Sequence, residues 1–505
     1  MDYLDSRKRR AHNIRLVIGY VLVAIVIGLA TVIIVYGANG YGINTKTGQI
    51  VQNGLLFVDS NPSGAEIFIN GADRNATSAA RLIIPGGKYT LTLKKDGYRD
   101  WSRSFTLNGG SVARYVYPML FPVKPVITNL KTYTAAPELI TQSPNQQWLL
   151  VEDVQKSAKT PTFDVYDTST LDSQTPKVTQ VGIPDGLLTD YPAQPKLKEV
   201  EWSTDNSNVL LEHILKSGSE FIVFNRAHPE QSISVSKLFK LNPSQVSLFN
   251  KKADQLYLYF KNDGTLRLGD TGVGTVGSPI LSGVLAYKPY GKNLITYVTA
   301  AGEPAGKADA RIWDSGQTYS LYEFSAGTNY LIDAAEFQGN FYYIAGSDAA
   351  DRINIYKNPL DDLSNPAIGK ALPLLALHDP GADKVGFSNN ARFVGVEAGQ
   401  RFAVHDFETD SSYEYEIPQP LMQEMSWMDG HRLIAESAGQ VLVMDYDGTN
   451  SQLVTATNLP AGGFFNSDYH HLLTTVGDAK KAGVILQDVD MRAGSDLPKN
   501  KQPSS

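Results

Sequence analysis

The sequence predicts an all-β protein on one N-terminal transmembrane helix, with a small β-sandwich followed by a seven- or eight-bladed β-propeller. Three observations predict it: an uncharged apolar run near the N-terminus, short alternating strands between tight turns, and a pattern that recurs through most of the chain. The 505 residues exceed what one hydrophobic core usually holds. The chain has no Cys, which excludes disulfides, a thiol nucleophile, a zinc ribbon and a lipidated Cys.

The apolar run covers residues 16–36 and carries no charged side chain. A helix of this length, rising ~1.5 Å per residue, matches the hydrocarbon core of a bilayer. Residues 1–15 before it hold five basic and two acidic side chains, a net charge of +3, while the whole chain carries −7. The positive-inside rule therefore predicts a cytoplasmic basic tail at 1–15, a signal anchor in the lipid bilayer at 16–36, and all later residues outside the plasma membrane.

A cleaved signal peptide is the alternative for this run. The apolar region of a signal peptide is usually ~7–15 residues long and ends at a small-residue cleavage site. Residues 16–36 are longer than that, so we expect an uncleaved single-pass anchor. Residues 37–53 are expected to form a linker to the first folded domain.

Residues 54–121 alternate apolar and polar side chains in short runs, which predicts a small β-sandwich. The turn signals between the runs are Asn61-Pro62-Ser63-Gly64, Asn70-Gly71, Pro85-Gly86-Gly87 and Asp96-Gly97. Asn-Gly between two strands predicts a type I′ hairpin turn, because both central residues of that turn need positive φ.

The spacing of these residues resembles the PEGA domain. The resemblance rests on SNPSGAEIFING at 60–71, PGGKYTL at 85–91, KDGY at 95–98 and Trp101. The Thr-Pro that usually follows the hairpin is Thr77-Ser78 here. The resemblance implies an envelope-associated β-module of membrane-anchored prokaryotic proteins, and it supplies no catalytic residue.

Residues 122–492 repeat a unit of an apolar strand, a polar turn, a second apolar strand, a loop and a third strand. The repeat can be anchored at positions 142, 202, 249, 287, 337, 387, 427 and 465, with gaps of 38 to 60 residues. Propeller blades of four strands take ~40–50 residues, so eight anchors favour eight blades, with seven as the alternative. A pair of β-sandwiches is the structural competitor. In a closed ring, the segment 123–133 is the expected closing strand beside the last repeat.

The repeats resemble the WD40-like propeller of the TolB family, most clearly in the sequence DYDGTNSQLVT at 445–455. The polar residues 493–505, rich in Lys, Pro and Ser, are expected to form a disordered tail.

Several apparent motifs favour a structural explanation. The glycines of 272–277 fit the dinucleotide fingerprint, but a strand follows instead of a helix, so we expect an inter-blade loop. His470 and His471 beside Asp468 suggest metal ligands, yet adjacent residues in a strand point to opposite faces. Three further patterns are expected to be a chance glycosylation sequence and solvated turn charges: Asn75-Ala76-Thr77, Asp361-Asp362 and Asp488-Val489-Asp490.

The sequence therefore predicts no catalytic, cofactor-binding or metal residue and a non-enzymatic binding or scaffold protein of the cell envelope. The propeller loops would bind an envelope protein or a cell-wall glycan. An acidic remainder of −10 makes nucleic acid a poor partner. The alternative is an enzyme or a small-ligand sensor with its site in the propeller channel, formed by loops that carry no local motif.

Overall fold

A computed structural model of the protein describes residues 6–38, 40–43, 48–154, 159–173, 175–191, 196–350, 352–377, 381–423, 425–478 and 483–498. Strands dominate this part of the chain. It divides into two compact units. The first comprises the chain up to Lys124 together with Ala493–Leu497, and the second comprises Pro125–Arg492.

The first unit begins with helix α1 (Ser6–Ala38), which contains the whole predicted run. Its polar Thr31 donates a hydrogen bond to the carbonyl of Ile27 (2.8 Å), so the hydroxyl is satisfied inside the helix. Within the described residues, α1 is the one helix long and apolar enough to cross a membrane.

Two four-stranded sheets follow in the first unit, and strands are numbered in chain order. Sheet A contains β1 (Tyr41–Ile43), β2 (Ile50–Val58), β5 (Ala80–Pro85) and β8 (Val112–Tyr115). Sheet B contains β3 (Glu66–Ile69), β4 (Ala72–Thr77), β6 (Gly87–Lys94) and β7 (Trp101–Leu107). Asn70 and Gly71 join β3 to β4 with φ of 51° and 77°, the positive pair that a type I′ turn requires, and Ile69 pairs with Ala72.

Two predictions at the ends of this unit are wrong. The linker expected at 37–53 is partly strand, because β1 pairs with the first residues of β2. The tail expected to be disordered from residue 493 instead folds on the β-domain over Ala493–Leu497. There Tyr98 Oη accepts a hydrogen bond from the Ala493 amide (2.8 Å) and donates one to Asp496 (2.9 Å). Residues 499–505 lie outside the described residues.

The second unit contains eight four-stranded antiparallel sheets within its described residues. Sheet 1 is β10 (Ile140–Gln142), β11 (Trp148–Glu152), β12 (Thr162–Asp167) and β13 (Val178–Gly182). Sheet 2 is β14 (Leu197–Trp202), β15 (Asn208–Leu215), β16 (Gly218–Asn225) and β17 (Ile233–Ser234), followed by α2 (Val235–Phe239). Sheet 3 is β18 (Gln245–Phe249), β19 (Lys252–Phe260), β20 (Thr265–Asp270) and β21 (Thr275–Leu281). Sheet 4 is β22 (Val284–Tyr290), β23 (Leu294–Thr299), β24 (Lys307–Asp314) and β25 (Gln317–Ser325).

The remaining sheets have the same order. Sheet 5 is β26 (Tyr330–Phe337), β27 (Asn340–Ser347), β28 (Ile353–Lys357) and β29 (Leu375–Leu377), with α3 (Pro359–Leu363) between the last two strands. Sheet 6 is β30 (Lys384–Phe387), β31 (Phe393–Ala398), β32 (Arg401–Asp406) and β33 (Ser411–Glu416). Sheet 7 is β34 (Ser426–Trp427), β35 (Arg432–Ser437), β36 (Gln440–Asp445) and β37 (Gln452–Ala456). Sheet 8 is β38 (Phe464–Phe465), β39 (His471–Gly477), β40 (Val484–Asp490) and β9 (Val126–Tyr133).

The eighth sheet is completed by the strand that begins the unit. β9 pairs with β40 from Val126↔Asp490 to Tyr133↔Val484, so the predicted pairing of the segment 123–133 with the last repeat is confirmed. Each of the eight sequence anchors lies in the first strand of a different sheet, and seven of them are its last residue.

A recurring hydrogen-bonded turn explains why three of the anchors mark strand ends. Ser143 Oγ donates to Asn145 Oδ1 (2.6 Å) and accepts from the amide of Trp148 (3.0 Å), which turns β10 into β11. Ser203-Asp205 and Ser388-Asn390 form the same turn in sheets 2 and 6. A Ser or Asn side chain that bonds the backbone two to five residues on stabilises such a turn.

Hydrophobic clusters join neighbouring sheets around the unit. Phe163 of sheet 1 and Phe224 of sheet 2 lie in one such cluster, with ring centroids 5.4 Å apart. Sheets 2 to 7 share five more clusters in sequence order. Sheets 7 and 8 are joined by a hydrogen bond between the hydroxyls of Thr457 and Thr474 (2.6 Å). Leu473 and Leu486 of sheet 8 then pack in one cluster with Leu149 of sheet 1.

Candidate functional site

Polar side chains link the first strands of several neighbouring sheets. Thr141 donates to Glu199 (2.5 Å) between sheets 1 and 2, and Lys288 pairs with Asp333 (2.8 Å) between sheets 4 and 5. Gln142 donates to the carbonyl of Phe465 (2.8 Å) and so links sheet 1 to sheet 8. These first strands therefore lie side by side, and we call their exposed surface the inner face.

Two cavities open on the inner face, and Lys288 lines both. The larger, of 490 Å³, also contacts Lys198, Glu199 and Gln245. The smaller, of 320 Å³, reaches Lys384 and Glu397. Ammonium groups and carboxylates both line the two cavities, so the lining is suited to a charged ligand, and no His occurs in the eight first strands.

The carboxylates of the inner face already have partners on neighbouring strands. Glu397 accepts from the amide of Met425 (3.1 Å), and Lys384 donates to the carbonyl of the same residue (2.7 Å). Burial raises the pKa of Glu199, and its hydrogen bond from Thr141 only partly offsets this. These groups serve the contact between sheets, and they form no pairing of a nucleophile with a base.

A second ionisable cluster lies between sheets 1 and 2. Glu152 on β11 and His213 on β15 are fully buried, and His213 Nδ1 lies 2.8 Å from Glu220 of β16. Burial, and then the negative charge of Glu138, raise the pKa of Glu152 to about 7. Its Oε2 has no hydrogen-bond partner among the described residues. Because both side chains are closed off from solvent, the cluster acts on the stability of the fold.

A third cluster joins sheets 8 and 1. His471 on β39 lies between Asp488 of β40 (Nδ1, 2.8 Å) and Asp172 of the loop after β12 (Nε2, 3.1 Å). Arg492 donates to Asp490 (2.8 Å) and to Asp172 (2.9 Å). Burial opposes the charge of Arg492, but these hydrogen bonds outweigh it and raise its pKa.

The ligand atoms of Asp172, His471 and Asp490 all lie within 4.8 Å of one another, a spacing that could hold a metal ion. The Arg492 guanidinium, however, donates to both carboxylates of this group. A cation would have to displace it, so the arrangement is better suited to an ion-pair network than to a metal centre.

His470 and His471 have different partners in the structure. His470 lies 3.3 Å from Asp468 while His471 turns to other partners, which agrees with the expected alternation of faces. The expectation of solvated charges at 488–490 is wrong, because Asp488 and Asp490 are 2% and 1% exposed. Sequence reasoning missed this network because its partner Asp172 lies 299 residues from His471.

The other motifs lie in turns or on strand edges. Gly272 and Gly274 lie in the turn between β20 and β21, and Gly277 lies in β21, so all three are within sheet 3 and not between blades as expected. Asp270 Oδ1 accepts from the amides of Gly272 (2.9 Å) and Val273 (3.0 Å), so an aspartate occupies the place an anion would take. Asn75 is exposed on β4, and Asp361 is exposed in the first turn of α3.

Residues 53–118 match the PEGA domain family. The PEGA resemblance therefore stands, and the match covers most of sheets A and B. No curated protein matches the chain.

Solved structures that resemble the chain include several propellers. The Dos1 propeller is 12% identical with a TM-score of 0.42, over 74% of this chain and 96% of that one. The β-propeller domain of Cps50 (Swd1) from Myceliophteria thermophila is 12% identical with a TM-score of 0.36, over 64% and 97%. The uncharacterized protein lmo1340 from Listeria monocytogenes EGD-e is 12% identical with a TM-score of 0.36, over 65% and 90%. The propeller-like description of this chain rests on its own strand order and sheet packing.

Proposed function

We propose that this protein is a membrane-anchored binding scaffold outside the cytoplasm, built on one closed eight-bladed propeller of the WD40-like type found in TolB. The eight sheets share hydrophobic or hydroxyl contacts in sequence order, and sheet 8 also packs on sheet 1. A strand from the N-terminal side that completes the last blade removes the free edge of an open array. Class averages from electron microscopy that show seven blades, or an open arc, would reject this part of the proposal.

The orientation proposed is a cytoplasmic N-terminus and an extracytoplasmic bulk. It is supported by the charge of +3 in residues 1–15, by the apolar helix α1 and by the PEGA match. Protease added outside intact cells should degrade the chain beyond about residue 40 and leave an N-terminal tag on a short membrane fragment. A protected C-terminus, or loss of the tag from the untreated protein, contradicts the anchor.

One observation supports a protein partner. The connection from α3 to β29, residues 364–374, exposes three apolar side chains: Ile368 by 52%, Leu372 by 75% and Leu374 by 45%. Apolar groups clustered on one loop favour contact with another protein. We call residues 364–374 the docking loop and propose that it binds an envelope protein.

The docking loop can be tested by crosslinking the full chain in its own membrane. Ile368→Ser with Leu372→Ser should lower recovery of the partner about ten-fold, while folding stays intact because both side chains are exposed. Val273→Ser, which alters an apolar side chain of equal exposure (74%) in the turn of sheet 3, serves as the control. Equal recovery from all three proteins would remove the docking loop from the proposal.

A ligand sensor or an enzyme with its site at the inner face is the second candidate. The observation in its favour is the 490 Å³ cavity where Lys198, Lys288 and Glu199 converge. A small anion that raises the melting temperature of the wild-type protein, but not of Lys198→Met, would favour the sensor over the scaffold.

A further inference from the structure

A third cavity, with a volume of 430 Å³, lies between sheets 4 and 5 and shares no lining residue with the other two. Its lining comes from the turn after β22, the end of β24, the start of β27 and the segment after β28. In antiparallel sheets the ends of the first and third strands lie at the same edge, so these pieces meet at one edge of the two sheets. The exposed Lys292 and Asn293 at its rim show that the cavity opens to solvent.

Aromatic rings form one wall of this pocket. Tyr290 and Phe341 contact edge to face, with ring centroids 6.1 Å apart and an interplanar angle of 88°. Phe341 is 36% exposed, so an apolar ring surface is available to a ligand. The shared core of sheets 4 and 5 contains several small side chains: Ala308, Ala310, Ala334 and Ala345.

A buried tyrosine forms part of the pocket's lining. Tyr343 on β27 is 0% exposed and lines the cavity, and its Oη has no hydrogen-bond partner among the described residues. A buried hydroxyl left unpaired destabilises the folded protein, and such groups are rare in native proteins. Burial, and then the nearby carboxylate of Asp314, raise the pKa of Tyr343, so the hydroxyl stays protonated and can both donate and accept.

The polar groups around the aromatic wall are mixed in kind. Asp314 and Asp361 supply acceptors, while Lys292 and the amide of Asn293 supply donors. A cationic side chain of a protein would be repelled by Lys292 and would bond only to the acceptors Asp314 and Asp361. A ligand with several hydroxyls on an apolar ring uses the acceptors, the donors, the Tyr343 hydroxyl and the aromatic faces together.

We propose that this pocket binds a sugar ring of the pyranose type, with its carbon face against Phe341 and one hydroxyl bonded to Tyr343. A volume of 430 Å³ lies within the ~300–1,000 Å³ typical of small-ligand pockets. The site is separate from the docking loop, so it stands whether or not that loop binds a protein.

The test uses the full chain in lipid nanodiscs, because glycoside detergents would compete for the pocket. Glucose, mannose, N-acetylglucosamine and the β-1,4-linked tetramer of N-acetylglucosamine are titrated by calorimetry and by ligand-observed NMR. At least one should bind saturably. Tyr343→Phe should weaken that sugar about ten-fold, the loss of one hydrogen bond, and Phe341→Ala should abolish its binding.

Stability separates the pocket from a purely structural role. Tyr343→Phe should not lower the melting temperature of the sugar-free protein, because its hydroxyl bonds to none of the residues that the structure describes. Tyr356→Phe is the matched control: this ring is buried in the same cluster, its hydroxyl interacts with Asn354, and it does not line the pocket. That variant should melt earlier and bind sugar normally.

Three results would overturn the proposal. They are the absence of saturable binding for all four sugars, sugar binding that is unchanged in both Tyr343→Phe and Phe341→Ala, and preferential binding of an acetylated Gly-Arg-Gly amide in the pocket. Sugar binding that persists in the Ile368→Ser, Leu372→Ser variant would support it independently of the partner protein.

Discussion

The seam between sheets 8 and 1 and the seam between sheets 4 and 5 are built differently. The first combines an apolar cluster with ion pairs between the two sheets, which are Arg492 with Asp172 and Lys131 with Asp164 (2.5 Å each). The second is an apolar cluster with many alanines beside a cavity. Sheets 4 and 5 follow each other along the chain, whereas sheets 8 and 1 lie far apart in sequence. Bringing such distant segments together loses more chain entropy.

Breaking β9, the strand that completes sheet 8, should have the largest effect. In an antiparallel strand one of two successive amides faces its partner, so Ile127→Pro with Thr128→Pro removes at least one bond to β40. We expect a loss of at least ~3 kcal/mol in unfolding free energy and faster hydrogen exchange at 484–490. The same change at Thr179 and Gln180 in β13, the outer strand of sheet 1, should leave 484–490 protected. Equal protection in both variants would argue for an open array.

Removing the guanidinium of Arg492, at the seam between sheets 8 and 1, should have the second largest effect. Arg492→Leu leaves the buried Asp490 without its cation, and breaking a buried pair costs about 3–5 kcal/mol. Arg311→Leu is a matched control, because Arg311 pairs with Asp309 two residues away in sheet 4 but is 27% exposed. Urea unfolding should show a clearly smaller loss there. Similar losses of unfolding free energy in the two variants would mean that the ion pairs between sheets 8 and 1 stabilise the fold no more than an ordinary ion pair.

The seam between sheets 1 and 2 sharpens the comparison, because its buried charge should destabilise the fold. The pKa of Glu152 is about 7 in the folded protein against an ordinary value of 4.5, so folding holds a proton on it. The bound proton stabilises the folded state, and this stabilisation is complete below about pH 4.5 and is lost as the pH rises through about 7. Glu152→Gln should therefore equal the wild type in acid and exceed it by about 3 kcal/mol near pH 8. A difference that does not change with pH would place the carboxyl in a hydrated site.

The smallest effect is expected at the apolar seam. Ile312→Val removes one buried methylene between sheets 4 and 5 and should cost about 1 kcal/mol, without dependence on pH. Combined with Arg492→Leu, the losses should add to within about 0.5 kcal/mol, since the two sites share no partner. Strong non-additivity in urea unfolding would show that strain at one seam reaches the other.

Local signals explain how much of this fold the sequence could predict. The Ser-x-Asn or Ser-x-Asp turns fix strand ends through hydrogen bonds that span no more than five residues, so the anchors could be placed without a structure. The apolar helix and the Asn70-Gly71 hairpin are equally local.

The candidate sites could not be found in this way, because their groups meet only after folding. Asp172 and His471 lie near opposite ends of the sequence of the propeller-like unit, 299 residues apart. The pocket of Tyr343 is assembled from pieces of sheets 4 and 5, none of which carries a motif. The sequence predicted a polar tail at Ala493–Leu497, because the residues that hold this segment, Lys95 and Tyr98, lie about 400 positions earlier in the chain.

The pairing of β9 with β40 also has a consequence for biosynthesis. Asn129 and Gln487, which bond across these strands at 2.9 Å, are 358 residues apart. At ~5–20 residues per second, β9 leaves the ribosome about 20–70 s before its partner exists. During that interval a strand with unpaired amides must be kept from aggregation or from pairing with the wrong sheet. The synthesis of β40 therefore ends the interval in which β9 has no partner strand.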